Sequence, residues 1–574
     1  MVCITFVFCA ATAIASRAQS FTTLVNFDQT DGADSVASLI QGTDGDFYGT
    51  TKFGGANNTC YQGCGTVFKM TPQGTLTTLH SFDGTDGAYP DAGLVQASDG
   101  NFYGTTSFGG TNLDCVFFPV LGDIGCGTVF KITPEGTLTT LHSFCAQTYC
   151  TDGGLPFAGL VQGTDGNLYG TTEAGGIINC PPSVPCGTVF KITPEGTLTT
   201  LYSFCFQSNC ADGNAPYGTL VQASDGNFYG TTQYGGNNFN GYYSGTIFKI
   251  TAGGTLTTLY SFCFQSNCAD GAFPAAGLVQ ANDGNFYGTT SSGGSNGGYG
   301  TVFKITPGAM LTTLYSFGGV HGYGGTPVDA LVQATDGNFY GTTVYGGAHY
   351  YYGMIFRITP SGHLTTMHSF DITDGSFPDA GLLQATNGNF YGTTSNAGAN
   401  GNCPSGCGTV FSLSNGLGPF VTTAPTSGNA GTQVIILGTN LTGTTGVTFN
   451  GCPASFDVVS ATEITTTVPT CASTGPVQVT TPGGVLSSNV PFRVAPSILN
   501  FLPRIGRVGT SVVITGEALT GATGVTFGGV HARNFTVESN TEIRATVPVG
   551  ARTGKIGVTT PGGMATSTET FRVI

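Results

Sequence analysis

The chain has 574 residues, of which 92 are glycine, none is tryptophan and only 8% are charged. This composition is typical of a turn-dense all-β protein, and the length leaves room for several domains. The formal net charge is −15, and residues 19–418 hold 25 acidic side chains against 7 lysines and arginines. This excess of negative charge excludes nucleic-acid binding by phosphate neutralisation over that segment.

The N-terminus begins with an apolar run, VCITFVFCAATAIA, followed by Ser16, Arg17 and Ala18. The run is too short to span a membrane, and the small residues around Arg17 are typical of a signal-peptide cleavage site. We therefore predict a signal peptide at residues 1–18 and a secreted or cell-surface protein. No other stretch of the sequence is long and apolar enough to predict a transmembrane segment.

A phrase close to DGNFYGTT returns seven times at intervals of 51 to 66 residues. Each copy lies in a unit of four β-rich runs of the types GLVQA, NFYGTT, GTVFKIT and LTTLYSF, separated by glycine-containing turns. Repeats of this size stack because one unit cannot bury its apolar faces alone. Seven units of four strands predict a seven-bladed β-propeller over residues 19–417. The copies begin at Asp44, Asp99, Asp165, Asp225, Asp283, Asp336 and Asn387.

The seventh unit lacks its fourth run. It ends with GTVFSLS at residues 408–414, while a spare copy of the fourth run, FTTLVNF, lies at residues 21–27. We expect this N-terminal strand to complete the last blade and close the ring, because closure removes two exposed sheet edges.

Propeller topology assigns the loops to two faces. Loops between second and third strands, and between a fourth strand and the next blade, share one face and contain every length change and all propeller cysteines. The opposite face repeats DGN and TPEG-like tight turns with little change. Because binding residues concentrate in variable loops on a rigid scaffold, we expect function at the first face, which we call the variable face.

Aromatic side chains concentrate in the second-to-third-strand loops of blades four to six. These loops are glycine-rich, and exposed rings with a hydroxyl group are suited to stacking on sugars or to gripping a protein. Packing between long neighbouring loops is the competing interpretation. The candidate ligand-binding residues are Tyr234, Phe239, Tyr242, Tyr243, Tyr299, Tyr345, Tyr350, Tyr351 and Tyr352.

Carboxylates cluster in three loops that enter blades one, two and seven, which are neighbours in a closed ring. Ca²⁺ takes about six to eight oxygen ligands in flexible loops, so this sector is a candidate calcium site. No other cofactor is expected. Asp-Gly is also common turn chemistry, and turn formation alone is the competing interpretation. The candidate metal ligands are Asp28, Asp31, Asp34, Asp83, Asp86, Asp91, Asp371, Asp374 and Asp379.

Sixteen cysteines beyond the N-terminal run fall into eight close pairs. An even set of local pairs without histidine partners predicts disulfides in an oxidising compartment. Zinc is the rival interpretation for two of the pairs, but a tetrahedral site would need two more soft ligands nearby. The pairs are Cys60/Cys64, Cys115/Cys126, Cys145/Cys150, Cys180/Cys186, Cys205/Cys210, Cys263/Cys268, Cys403/Cys407 and Cys452/Cys471, and the zinc alternative concerns the first and the seventh.

After about residue 418 a second duplicated pattern begins. The run GTQVIILGTNLTGTTGVTFNG from Gly431 aligns with GTSVVITGEALTGATGVTFGG from Gly509, and each copy continues to VTTPGG and a final FRV. Both copies resemble the IPT/TIG family of immunoglobulin-like β-sandwiches. The resemblance implies one sandwich at residues 418–494 and a second at residues 495–574.

The propeller units resemble the Gloeo-Verruco (GloVer) tandem repeat of bacterial exported proteins. The resemblance rests on the LVQA.DGNFYGTT and GTVFKIT phrases and covers about residues 20–415. It implies a secreted or surface-attached bacterial protein in which the repeat domain is joined to a C-terminal anchor. It implies no catalytic residues.

No catalytic motif is visible in the sequence: a Ser/His/Asp triad, an HExxH helix and a phosphate loop are all absent. Glu173 is the only glutamate expected on the variable face. We predict an exported, non-enzymatic display protein whose variable face binds an extracellular glycan, another surface polymer or a surface protein, with the sandwiches as a stalk. A secreted propeller lyase or glycoside hydrolase is the alternative, because propeller enzymes draw their residues from scattered loops. Paired carboxylates in the central channel would favour the enzyme, and an empty or glycine-lined channel the binding protein.

Overall fold

The repeated phrases form seven four-stranded antiparallel sheets, followed by two β-sandwiches. The protein is described from a computed structural model, which covers residues 19–112, 125–176, 186–237, 244–318, 325–349 and 351–574. The predicted fold class, a seven-bladed β-propeller with immunoglobulin-like modules, is confirmed. Within the described ranges the helical elements are three single turns at Thr148–Cys150, Ser208–Cys210 and Ser266–Cys268.

The propeller strands follow the repeated runs, and each sheet joins four of them in the order of the chain except in the last blade. The strands are β1 (Ser20–Asn26), β2 (Ile40–Gln41), β3 (Phe47–Thr51), β4 (Thr66–Met70), β5 (Leu76–Ser81), β6 (Val95–Gln96), β7 (Phe102–Thr106), β8 (Thr128–Ile132), β9 (Leu138–Ser143), β10 (Val161–Gln162), β11 (Leu168–Thr172), β12 (Thr188–Ile192), β13 (Leu198–Ser203), β14 (Val221–Gln222), β15 (Phe228–Thr232), β16 (Thr246–Ile250), β17 (Leu256–Ser261), β18 (Val279–Gln280), β19 (Phe286–Thr290), β20 (Thr301–Ile305), β21 (Leu311–Ser316), β22 (Val332–Gln333), β23 (Phe339–Thr343), β24 (Met354–Ile358), β25 (Leu364–Ser369), β26 (Leu383–Gln384), β27 (Phe390–Thr394) and β28 (Thr409–Ser414).

Aromatic stacking between blades explains why the FYGTT phrase repeats. Every residue of these second strands is buried, as in β7. The tyrosine of one blade stacks on the phenylalanine of the next, as in the pair Tyr48 and Phe102 with ring centroids 4.0 Å apart. The tyrosine hydroxyl donates to the aspartate that opens the phrase, so that Tyr48 reaches Asp44 Oδ2 at 2.7 Å. Each repeat therefore buries a large ring and pairs its polar end.

The ring closes through the N-terminal strand. In the seventh blade the strand order is β1-β28-β27-β26, and β1 runs antiparallel to β28. Phe21 of β1 stacks on His368 with ring centroids 3.7 Å apart. Blades seven and one make the same contacts as other neighbouring blades. The ring centroids of Tyr391 and Phe47 lie 4.1 Å apart, and Thr386 N donates to Gln41 Oε1 at 3.0 Å.

Each sandwich packs two large sheets around a buried apolar cluster, and the first sandwich also contains a two-stranded parallel sheet. The first contains β29 (Thr422–Ala424), β30 (Ser427–Gly428), β31 (Gln433–Leu437), β32 (Gly446–Phe449), β33 (Cys452–Ala454), β34 (Phe456–Val458), β35 (Glu463–Thr467), β36 (Val477–Thr481), β37 (Gly484–Ser487) and β38 (Arg493–Val494). The second contains β39 (Ser497–Leu502), β40 (Ile505–Gly506), β41 (Ser511–Glu517), β42 (Gly524–Phe527), β43 (Val530–His531), β44 (Phe535–Ser539), β45 (Glu542–Thr546), β46 (Gly554–Thr560) and β47 (Gly563–Val573).

The first sandwich lies against the face opposite the variable face. Arg493 Nη2 donates to Gln280 Oε1 of blade five at 2.9 Å, and Phe420 N donates to Thr386 O of blade seven at 2.9 Å. Thr462 Oγ1 donates to Thr43 O of blade one at 3.4 Å. These contacts leave the variable face uncovered by this sandwich. Among the described residues, no helix has the length and apolar character needed to cross a membrane.

Candidate functional site

At the variable face the central channel opens into a cavity of about 670 Å³. Its wall comes from the segment that leads into the first strand of each blade and from residues that follow second strands. Small residues such as Ala92, Gly159, Gly218 and Gly277 form much of this wall, and Lys52 projects from it. We call this cavity the channel mouth.

A strained backbone turn precedes the first strand of every blade. A non-glycine residue there has φ between 54° and 59°, a left-handed conformation that costs on the order of 1–2 kcal/mol. Hydrogen bonds hold it in place: Asp34 N donates to Cys407 O and Lys52 N donates to Asp34 O, both at 3.0 Å. The turn places the residue two positions later in the channel wall. The strained residues are Asp34, Tyr89, Leu155, Ala215, Phe273, Thr326 and Phe377, and the wall residues that follow four of them are Asp91, Phe157, Tyr217 and Asp379.

An ion pair crosses from blade one to blade two at the channel mouth. Lys52 Nζ lies 2.9 Å from Asp91 Oδ1, and the two side chains are 31% and 7% exposed. Ser107 Oγ donates a further hydrogen bond to Asp91 Oδ2. Burial disfavours the charged ammonium, but nearby carboxylates, first of all Asp91, outweigh burial and raise the pKa of Lys52. Lys52 therefore stays charged.

Two further carboxyl groups interact with this ion pair. Burial raises the pKa of Asp34 to about 7, with Lys52 opposing the shift and Asp379 and Asp91 adding to it. Burial raises the pKa of Asp379 to about 6, against a hydrogen bond from Ser395 and the charge of Lys52. Both groups therefore change protonation close to neutral pH, where small changes in their surroundings alter their charge.

Glu173 of blade three and Tyr217 of blade four each carry a polar group that has no hydrogen-bond partner among the described residues. Glu173 follows its second strand as Lys52 follows the equivalent strand in blade one, and burial raises the pKa of its carboxyl group to about 7. Burial also raises the pKa of Tyr217, and the charges of Asp91 and Glu173 add to the shift. Within the described ranges, neither the Glu173 carboxyl group nor the Tyr217 hydroxyl has a hydrogen-bond partner.

Asp329 has a structural role by contrast. Its Oδ2 accepts hydrogen bonds from Ser38 Oγ at 2.9 Å and Gly381 N at 2.5 Å, and its Oδ1 accepts from Ala330 N at 2.6 Å. Burial raises the pKa of Asp329 in spite of these bonds. Because its donors belong to blades one, six and seven, Asp329 ties together three blades where the ring closes.

Aromatic rings border the channel mouth along blades one to four. Phe157 and Tyr217 stack with ring centroids 5.2 Å apart and an interplanar angle of 17°. Phe108 meets Phe157 edge-on at 6.3 Å, Tyr89 meets Phe108 at 5.9 Å, and Phe53 meets Tyr89 at 5.3 Å. The rings form a continuous apolar border beside the charged groups, an arrangement suited to a ligand with both flat apolar and polar surfaces.

Four of the five predicted aromatic residues that the structure describes are exposed. Tyr351 is 71% exposed and Tyr345 48%, while Tyr345 and Tyr234 each lean edge-on against a phenylalanine of the following turn at 5.7 Å. Tyr299 is 43% exposed. Tyr352 packs against the buried cluster between blades six and seven, so it contributes to packing. Four of the predicted residues lie outside the described residues, namely Phe239, Tyr242, Tyr243 and Tyr350.

The nine predicted calcium ligands divide between two places. Six form turns: Asp28 Oδ1 accepts from Thr30 N and Asp31 N, and Asp31 Oδ1 accepts from Asp28 N at 2.8 Å. The same bonds recur in two other blades, at Asp83 with Asp86 and at Asp371 with Asp374. The remaining three, Asp34, Asp91 and Asp379, lie at the channel mouth.

Metal-ligand geometry is found elsewhere in the described part of the chain. There, the one group whose ligand atoms all lie within 4.8 Å of one another is Cys126, Cys145 and Cys150. All three cysteines are disulfide-bonded, and a thiolate is the form that binds a metal. The calcium site therefore stays a prediction, without a carboxylate cluster of that geometry in the described residues.

The alternation of histidine and tyrosine on the fourth strands has a structural cause. His80 Nε2 lies 2.7 Å from Asp86 Oδ2, and Tyr202 donates from its hydroxyl to Asp212 Oδ2 at 2.8 Å. Both side chains therefore reach the carboxylate of the turn that follows, and either residue satisfies it. His142 and His368 make the same contact with Asp152 and Asp374.

Six of the predicted disulfides are present. Five of them join cysteines four or five residues apart in loops of the variable face, and the sixth joins cysteines 19 residues apart in the first sandwich. Cys126 and Cys186 are also disulfide-bonded, and their predicted partners, Cys115 and Cys180, lie outside the described residues. The six bonds are Cys60–Cys64, Cys145–Cys150, Cys205–Cys210, Cys263–Cys268, Cys403–Cys407 and Cys452–Cys471.

Sequence reasoning missed the channel mouth as a site. Lys52, Phe157, Tyr217 and Asp329 were not singled out for binding, although three of them hold positions where the repeat varies between blades. The sequence signal that could have identified the site is variation at one position of the repeat, the second residue after each strained turn. In chain order this residue is Val36, Asp91, Phe157, Tyr217, Ala275, Val328 and Asp379. A repeat that keeps its core phrases but diversifies one inward position indicates a site on the channel axis.

Comparison with known families identifies both parts of the chain. The Gloeobacter/Verrucomicrobia repeat matches residues 10–179, 119–282 and 242–452, which together cover more than half of the sequence. The IPT/TIG domain matches residues 419–494 and 496–573. None of the curated proteins matches the chain.

Several solved structures match part of the chain. A fungal alcohol oxidase of the AA5 family in complex with copper is 13% identical, with a TM-score of 0.44, over 82% of this chain and 98% of the oxidase. SGBP-B from a xyloglucan utilisation locus of Bacteroides uniformis is 24% identical, with a TM-score of 0.15, over 26% of this chain and 48% of that one. The surface glycan-binding protein PbSGBP-B of Prevotella bryantii is 17% identical, with a TM-score of 0.21, over 27% and 38%. The chain thus spans less than half of the two SGBP-B proteins, and at these TM-scores the likenesses carry no argument about function.

Proposed function

The chain belongs to the Gloeobacter/Verrucomicrobia repeat family, and we propose that it is an exported, non-enzymatic display protein that binds a glycan at the channel mouth. The observation that carries this proposal is the stack of Phe157 on Tyr217 beside the partnerless carboxyl group of Glu173. A sugar ring has an apolar face for stacking and hydroxyl groups that hydrogen-bond to carboxylates and phenols. The channel mouth offers both kinds of surface at one place.

The size of the channel mouth favours a short glycan segment. Its volume of about 670 Å³ lies within the range of roughly 300–1,000 Å³ that is usual for small-molecule sites. The glycine and alanine residues of the wall leave this space open. A chain end or a short oligosaccharide suits such a concave site better than the flat surface of a folded protein does.

The domain arrangement supports display. The first sandwich contacts blades one, five and seven on the opposite face, through Thr43, Gln280 and Thr386. Acting as a stalk, the sandwiches would hold the variable face outward. Local disulfides on that face, such as Cys60–Cys64, suit an oxidising compartment outside the cytoplasm.

A polysaccharide lyase or glycoside hydrolase is the second candidate, and the carboxyl groups at the channel mouth are the observation that favours it. Asp34 and Glu173 each have a pKa raised to about 7 by burial, and such groups can hold or accept a proton near neutral pH. Binding without catalysis leads because a third carboxylate of the channel mouth, Asp91, is already engaged by Lys52 and Ser107.

The test is a glycan array probed with the full chain and scored for both retention and released product. We expect retention of at least one glycan class without release. Tyr217→Ala should abolish retention, because half of the stacked pair is lost. Tyr61→Ala is the control, since Tyr61 is 77% exposed on the same face. Product release would support the second candidate, and the absence of any retained glycan would reject the proposal.

A further inference from the structure

The charge of the channel mouth indicates which class of glycan it binds. Building on the proposed function, we infer that the channel mouth takes a positively charged glycan, namely one with free amino sugars. The inference rests on the balance of charges at the cavity, on the polar groups that lack partners there, and on the aromatic pair beside them.

Negative charge exceeds positive charge at the channel mouth. Among the described residues that line or contact it, Lys52 is the one cationic side chain, and it is committed to Asp91 at 2.9 Å. Four further acids lie near this pair, and ionisation of any of them leaves a negative charge that no cationic side chain of the site balances. They are Asp34, Glu173, Asp329 and Asp379.

Three of the polar groups here lack hydrogen-bond partners. In the described part of the chain, no donor reaches the Asp34 or Glu173 carboxyl groups, and the Tyr217 hydroxyl is unpaired. The three side chains are half-buried at the channel mouth, so their oxygens are free to hydrogen-bond to a ligand, and a few such polar groups in a cavity fix a ligand's orientation. An ammonium group donates three N–H bonds and adds the missing positive charge.

A bare metal ion fits these observations less well than a charged sugar. No set of carboxylate oxygens within the described ranges has the mutual spacing of metal ligands. The acids are distributed over blades one, three, six and seven, which suits an extended ligand. The stacked rings of Phe157 and Tyr217 favour a pyranose that bears a positive charge, through stacking and cation–π attraction.

Calorimetric titration of the full chain with three oligosaccharides tests the inference. The probes are a glucosamine tetramer, its N-acetylated counterpart and a galacturonate tetramer, at about pH 6, where an amino sugar is protonated. We expect the glucosamine tetramer to bind at least about tenfold more tightly than the N-acetylated one, with a preference that weakens in high salt. The galacturonate tetramer should bind least, because its carboxylates face like charges.

A double variant identifies the residues responsible. Asp34→Asn with Glu173→Gln should lower the affinity for the glucosamine tetramer about tenfold and remove most of its preference over the N-acetylated tetramer. Glu135→Gln is the matched control, because Glu135 is exposed in a turn of the opposite face. If the double variant fails to fold, Glu173→Gln alone should still reduce the preference.

Each contrary outcome has a distinct meaning. Equal or tighter binding of the N-acetylated tetramer would overturn the inference about charge and leave glycan binding standing. Binding of calcium ions that abolishes the glucosamine preference would show a metal site and overturn it as well. If none of the three tetramers binds, the inference fails, and the glycan array decides the proposed function separately.

Discussion

Lys52 Nζ of blade one lies 2.9 Å from Asp91 Oδ1 of blade two, so the lysine of one blade forms an ion pair with a carboxylate of the next blade. The pair has two roles that can be separated. It links adjacent blades, and it sets the electrostatic surroundings of Asp34 and Asp379.

Removing the lysine should destabilise the propeller. Lys52→Met leaves the Asp91 side chain, which is 7% exposed, without its cation, and we expect a loss of about 2 kcal/mol in the free energy of unfolding. This figure lies below that for a fully buried pair because Lys52 is 31% exposed. Lys249→Met is the control, since its pair with Asp225 has both side chains about a third exposed and should contribute less than about 1 kcal/mol. Equal losses for the two variants in urea unfolding would contradict this account.

The raised pKa values predict the direction of pH dependence. A carboxyl group whose folded-state pKa exceeds its unfolded-state pKa binds protons more tightly when folded, so its stabilising contribution is lost as the pH rises through the folded value. Asp34 and Glu173 at about 7 and Asp379 at about 6 should therefore lower the melting temperature between about pH 4 and pH 7. Aspartates with a lowered pKa, such as Asp83, affect the stability only below about pH 4.

The variant Asp34→Asn with Glu173→Gln should flatten this dependence, because neither amide titrates. The measurement is the melting temperature of the ligand-free chain across the same pH range. A wild-type melting temperature that rises from about pH 4 to pH 7, or equal slopes for wild type and variant, would show that these groups do not control stability.

Deleting residues 19–27 should open the ring. The deletion removes β1, leaves β28 as an exposed edge and takes away the stack of Phe21 on His368. We expect the melting temperature to fall by roughly 10 °C or more. Thr22→Ala, which alters an exposed side chain of the same strand, should have little effect. An unchanged melting temperature after deletion would mean that β1 does not close the ring.

Mass spectrometry of the unreduced protein checks the disulfides. We expect no free thiol after residue 18 and only sequence-adjacent pairings, because six such bonds are present and two further cysteines, Cys126 and Cys186, are disulfide-bonded. Each propeller bond present closes a short loop and should contribute on the order of 2 kcal/mol, mainly by ordering that loop. Several alkylatable thiols, or links between distant blades, would contradict the prediction.

The fold could be predicted from sequence because its rules are local and repeated. Strand runs, turn residues and the displaced fourth run at residues 21–27 each indicate one arrangement, and the repeat supplies the same information seven times. The sandwiches were predicted from resemblance to a known family. No comparable local rule exists for the channel mouth.

The candidate site could not be predicted because it depends on strained turns and distant partners. Residues such as Tyr89 and Leu155 are bulky and precede proline, and sequence propensity disfavours the positive φ that they adopt. Hydrogen bonds from other segments impose that conformation and bring Asp91 and Tyr217 to one cavity. Asp34, Asp91 and Asp379 were noticed in the sequence, but their nearness to turn aspartates suggested calcium.

A crystal structure of the full chain grown with a bound oligosaccharide tests the central claim most directly. The account predicts a sugar ring in the channel mouth, stacked on Tyr217 beside Phe157, with a hydrogen-bond donor directed at the Glu173 carboxyl group. A sugar bound instead at the exposed Tyr351 or on a sandwich, with the channel mouth empty, would contradict it.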